Sequence, residues 1–142
     1  VSKNRVKDNG FENQTLGQPV SAPWSSTNTT LVISAGSQLE GNFAALLSSG
    51  AAISQTLKPM RAGRSYTFTA GFSTLSGNTG TIDVRVGNVL RRYQASSIAG
   101  ALGQYATYTF RFNAPQNEPA VLSITNNAAE DIKIDTVFIL RG

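Results

Sequence analysis

The sequence predicts an all-β fold, a two-sheet antiparallel jelly-roll β-sandwich built from 142 residues. Three observations lead there. Apolar residues alternate with polar ones at period two, a sustained 3.6-residue pattern hardly appears, and turn signals recur at the spacing such sandwiches use.

In chain order, strands are expected at Thr30 to Ser34, Phe43 to Ser48 and Ala52 to Lys58. In RSYTFTAGFST, residues Tyr66, Phe68, Ala70 and Phe72 point one way and Thr67, Thr69 and Ser73 the other, the signature of a half-buried strand. GTIDVRVG sets Ile82, Val84 and Val86 against Asp83 and Arg85. Val89 to Ala95 follows, and then ATYTFRFNAP, with Tyr108, Phe110 and Phe112 against Thr109 and Arg111. Ala120 to Asn126 and Ile132 to Arg141 complete the set. The turn signals KPMRAGR, SGNTG, VGN, NAPQNEP and NNAAED lie between these strands. SSIAGALGQ is the one stretch that suggests a helical turn, and its glycines read as loop. About ten strands suit two stacked sheets better than a small barrel. The length suits a single domain over residues 9–142, preceded by an arm or edge strand over 1–8.

The last strand is unusual. Ile132, Ile134, Phe138 and Leu140 are expected on one face, with Val137 and Ile139 adding apolar surface to the other. A strand apolar on both faces needs two covers, the second being either this chain or a neighbouring subunit.

Composition narrows the chemistry. Cysteine and histidine are both absent, which removes disulfides, thiolate and imidazole metal sites, and the Ser-His-Asp and Cys-His templates. Asp83, Glu118, Glu130, Asp131 and Asp135 fall on separate strands and turns, with no spacing that pairs two across a cleft, so catalysis is not expected. SGNTG joins two strands instead of opening a helix, so it is no phosphate loop. The net charge of +4 comes from scattered basic residues, not a stripe, which argues against nucleic acid as a partner. No apolar run approaches the ~20 residues of a membrane helix, so no membrane insertion is expected. Only 14% of residues are charged, which leaves a surface of Ser, Thr, Asn, Gln and Gly and suggests an extracellular place of work.

NGFENQTLGQPVSAPW carries the only tryptophan on a polar, proline-broken path. Phe11 is expected in the core and Trp24 as a plug at one end of the sandwich. The alternative is a sugar platform made of Trp24, Tyr93 and Tyr105. Before it, VSKNRVKDN reads as a frayed arm or a first edge strand. Lys3, Arg5, Val6 and Lys7 could add to the sheet edge of a second copy, with Val137 and Ile139 as apolar contacts, giving a homo-oligomer such as a trimer or fibre.

The succession NGFE, a Trp about a dozen residues on, LEGNFAALL, AISQTLKPMRAGRSYTFTAGFS and DIKIDTVFILRG resembles the galactose-binding-like jelly rolls. These include carbohydrate-binding modules attached to xylanases and cellulases, and the likeness covers nearly the whole chain. A narrower likeness is to the globular domains that stand before collagen-like repeats in surface and spore-coat proteins of Firmicutes. The chain departs from these by an insertion before Trp24 and by Asp-Asn-Gly where Asn-Gly-Gly is usual. The resemblance implies a structural calcium held by Glu12 and Asp135 with backbone carbonyls near Glu40 and Gly41. The competing expectation has Glu12 accepting backbone N–H groups at a strand end and Asp135 facing solvent or the surroundings of Lys133. The function implied is a non-catalytic structural or assembly domain at a bacterial cell or spore surface. A carbohydrate-binding module with a glycan partner is the alternative.

Overall fold

Period-two alternation becomes two five-stranded antiparallel sheets packed face to face. The computed structural model describes residues 3–33, 42–75, 77–98, 105–114 and 120–142. The strands are β1 (Ser25–Thr27), β2 (Thr30–Ile33), β3 (Ala44–Leu47), β4 (Ala52–Thr56), β5 (Ser65–Thr74), β6 (Gly80–Val86), β7 (Val89–Gln94), β8 (Ala106–Asn113), β9 (Val121–Ala128) and β10 (Ile132–Arg141). The first sheet runs β1-β4-β9-β6-β7 and the second β2-β3-β10-β5-β8. Successive strands largely switch between sheets, which is the jelly-roll signature. The sequence anticipates nine of these strands and misses the three-residue β1. A 3₁₀ turn at Ala95–Ser97 occupies the start of the glycine-containing segment expected to be a loop.

The core lies between the sheets. From the second sheet come Tyr66, Phe68, Ala70 and Phe72 of β5, and from the first Ile82, Val84 and Val86 of β6 and Leu122 and Ile124 of β9, all buried. Each is the inward member of an alternating pair, and removing each large side chain from water contributes roughly 1.5–3 kcal/mol.

The alternation breaks once, in β10. Ile132 and Ile134 lie opposite Thr74 and Phe72 and point inward, but the register with β5 shifts between Asp135 and Phe138. Two residues then oppose one, and Thr136 takes a left-handed φ of 56°. The extra residue reverses the parity of the strand. Ile139 lies opposite Phe68 in the core, while Phe138 and Leu140 lie opposite Thr69 and Thr67 on the outer face. The expectation of Phe138 and Leu140 beside Ile132 and Ile134 is therefore corrected, because it carried period two through a bulge. Val137 and Ile139 are fully buried in this chain's own core, so its second cover is internal.

β3 pairs with β10 only as far as Ile134, so the backbone groups beyond it on that side must find other partners. The amino-terminal segment supplies them. The Asn4 side chain donates to the Val137 carbonyl at 3.2 Å and accepts from the Ile139 N–H at 2.9 Å. The Val137 N–H donates to the Asn9 carbonyl and the Arg5 N–H to the Ile139 carbonyl. The segment is held on its other side by Lys58, whose N–H donates to the Arg5 carbonyl. Gln55 of β4 completes this side, its amide bonding both backbone groups of Lys7 at 2.8 and 2.9 Å. Arg5 also lays its guanidinium over the Tyr66 ring, and Val6 is buried. Arg5, Val6 and Lys7, expected to serve a second copy, are thus engaged within the chain, and only Lys3 of that group is exposed.

Asn4→Ala is expected to lower stability by about 1–3 kcal/mol in chemical denaturation, since it leaves a donor and an acceptor of β10 unpartnered. Thr136→Gly is expected to act oppositely, raising the melting temperature, because a β-branched residue in the left-handed region carries roughly 1–3 kcal/mol of strain that glycine does not.

Candidate functional site

Trp24 and its surroundings form a plug. The Trp24 ring stacks on Phe11 at 5.3 Å and its indole N–H donates to the Asp8 carbonyl at 3.0 Å. Gln14, also buried, bonds both the Asp8 carboxylate and the backbone of Ser21, which closes the loop over the rings. Trp24 is only 2% exposed and offers no platform, so its place in the alternative sugar site is withdrawn. Tyr93 belongs to a second packed cluster at the β7–β8 side of the sandwich, where it meets Phe72 and Tyr108. Its phenol is raised above the usual tyrosine range by burial, with Arg91 opposing.

Tyr105 alone of the three sugar candidates lies on the outside of a sheet. It immediately precedes Ala106, the inward residue opposite Phe72, so alternation turns Tyr105 to the outside of the second sheet. That face is the candidate site. In one row stand Leu46, Lys133 and Ser73, and in the next Asp135, Gly71 and Thr107. Beyond the bulge come Phe138, Thr69 and Thr109, and last Leu140, Thr67 and Arg111. Four rows of a sheet stretch about 20 Å along the strands.

The face is closed at one end and open at the other. At the closed end Asp135 is fully buried, Lys133 is 6% exposed and Ser73 is buried with its hydroxyl unpartnered. Asp135 accepts the Thr136 N–H at 2.8 Å, and the Thr136 hydroxyl is buried without a partner. Burial first, and the Asp135 charge second, push the Tyr105 phenol far above its ordinary range. Burial alone lowers Lys133. At the open end Phe138 is half-buried and the Thr69 and Thr109 hydroxyls meet at 3.2 Å, beside the exposed Arg111. An aromatic face flanked by hydroxyls and a guanidinium can stack on a ring and bond its substituents.

Glu12 and Asp135, the expected calcium ligands, do converge. A side chain added at Gly10 would begin 3.7 Å from Glu12 Cγ and 3.9 Å from Asp135 Oδ1. Each Glu12 oxygen, however, accepts a backbone N–H, from Asn42 and from Phe43, both at 2.9 Å. That is the arrangement of a carboxylate capping a strand start. Asp135 is corrected from the solvent-facing position of the competing expectation, since the outer face covers it completely. No group of three or more acids forms among the described residues, and both Glu12 oxygens are already engaged by backbone N–H groups. The carbonyls near Glu40 and Gly41 lie outside the described residues.

Sequence reasoning missed Phe138, Lys133 and the buried state of Asp135. Thr69, Thr109 and Arg111 were legible as outward residues, though nothing marked them as neighbours of an aromatic ring.

No protein-family model matches the chain and no curated protein matches it. Solved structures do match in fold. A cyclase from Fischerella sp. TAU superposes with a TM-score of 0.73 at 16% identity, over 100% of this chain and 97% of its own. TmCBM61 in complex with β-1,4-galactotriose gives 0.66 at 18% identity, over 99% and 100%. A family 16 carbohydrate-binding module gives 0.61 at 14% identity, over 78% and 84%. The β-sandwich and its likeness to carbohydrate-binding modules agree with the sequence reading, while the collagen-repeat context finds no support. The expectation that this chain is not an enzyme is overturned by the cyclase: the same architecture carries enzymes, so missing His and Cys do not exclude catalysis from it.

Because the folded chain favours neutral Tyr105, that residue's contribution is intact below the ordinary tyrosine value of 10.0 and is lost as pH rises through it, where the unfolded chain ionises first. Tyr105→Phe should therefore lose less stability than the parent between neutral and strongly alkaline pH, read by urea denaturation at each pH.

Proposed function

We propose that this chain is a glycan-binding module whose ligand lies along the outer face of the second sheet. The observation that supports it most is the position of Phe138, turned outward by the β10 bulge next to the Thr69 and Thr109 hydroxyls and one row from Arg111. A sugar ring presents an apolar C–H face and a rim of hydroxyls, which is what a half-buried aromatic with flanking polar side chains recognises. The carbohydrate-binding modules that share the fold support the same reading, and TmCBM61 holds a galactotriose. The uncharged polar surface fits work outside the cell, where polymeric glycans are met.

Titration calorimetry against a panel of plant and bacterial oligosaccharides is expected to find binding. Phe138→Ala should weaken it at least tenfold, because the stacked ring supplies much of the buried area in so shallow a site, with the melting temperature little changed. Trp24→Ala does not serve as the comparison, since it empties the plug. Binding that survives Phe138→Ala unaltered, or a panel with no ligand, would refute the proposal.

A further inference from the structure

Lys133 stands out on this face because it is nearly buried and has nothing to pair with. Its neighbours in register are Leu46 on β3 and Ser73 on β5, and its own strand neighbours Ile132 and Ile134 point into the core. Among the described residues its side chain forms no hydrogen bond and no ion pair. Asp135, two residues on, is hydrogen-bonded to the Thr136 N–H. The ammonium is not among the sealed polar atoms that lack a partner, so it still reaches the surface. The Ser73 hydroxyl directly across from it is sealed and unpartnered. At the far end of the face Arg111 is exposed and forms neither an ion pair nor a side-chain hydrogen bond.

A cation partly withdrawn from water and given no partner lowers the stability of the fold. A protein retains such a group most readily where a ligand supplies the missing charge. The whole chain is basic, at +4, so no surplus of its own acids competes for these positions. Leu46 stands directly across from Lys133 in register, and the side chain is nearly buried, so it has less freedom than a solvated surface lysine.

We infer that the glycan bound here is anionic, and that Lys133 receives a carboxylate or sulfate of the sugar chain while Arg111 meets a second one further along. This rests on the glycan-binding reading and specifies its substrate class. Lys133 is a binding residue in this scheme. Charge-assisted bonds of this kind are short and strong, and they weaken with salt to the extent that they remain exposed.

The experiment compares polyuronate oligosaccharides with their carboxyl-reduced forms, and a sulfated glycan with its desulfated form, by calorimetry at low and high ionic strength. At least one acidic glycan should bind tenfold or more tightly than its neutral counterpart, and which pair shows this separates carboxylate from sulfate recognition. Lys133→Met should erase most of that preference, keep binding to the neutral form, and raise the melting temperature, since it removes an unpaired cation. Arg111→Gln should reduce the preference less. Equal or tighter binding of the neutral forms would overturn the inference and leave glycan binding standing. A preference unaltered in Lys133→Met, or a lowered melting temperature in that variant, would overturn the role of Lys133. Failure to bind any glycan, charged or neutral, would overturn the underlying reading as well.

Discussion

The β10 bulge is the constraint on which the rest of this molecule turns. One extra residue, accommodated by a left-handed Thr136, reverses which side of the strand faces the core. Before it, Ile132 and Ile134 fill the interior and Lys133 and Asp135 look outward. After it, Ile139 fills the interior and Phe138 looks outward. Without the reversal Phe138 would join the core and the outer face would carry Ile139 in its place, an aliphatic row with no ring. The outer face owes the outward Phe138 ring to a backbone irregularity.

A strained residue persists only where its surroundings over-determine it. Here the surroundings are the amino-terminal segment, which gives up regular structure of its own to partner the freed groups of β10. Asn4 does with one side-chain amide what a paired strand would do with two backbone groups, and Gln55 repeats the device from the opposite sheet. The segment therefore belongs to the domain and ties the sheets together across one end. Bulge, arm and outer face form one unit in which the arm stabilises the geometry that presents the site.

The outer face departs from the economy of the core. On this face the Ser73 hydroxyl is buried without a partner and the Lys133 side chain is nearly buried, and at the bulge the Thr136 hydroxyl is also buried and unpartnered. Asn126 is fully bonded by contrast, its amide reaching the carbonyls of Leu47 and Glu130 while its oxygen accepts the Ala128 N–H, whereas the Ser65 and Tyr93 hydroxyls are also buried without a partner. The same architecture serves cyclases and carbohydrate-binding modules, so the fold leaves the chemistry open and the side chains of this face must specify it.

By itself the sequence determined the all-β class, nearly all of the strands, the inward residues of β5, β6 and β8, and the burial of Phe11 and Trp24, because side-chain alternation is a local property that two or three neighbours suffice to reveal. Tertiary structure decided the rest. A bulge leaves no local mark in IKIDTVFIL, so the outward turn of Phe138 became visible only when the register with β5 was known. The burial of Asp135 and the isolation of Lys133 depend on what other strands and loops bring over them, and the arm's attachment depends on pairing residues more than 130 positions apart. Such facts arise from distance in space between groups far apart in the chain, which no reading of adjacent residues contains.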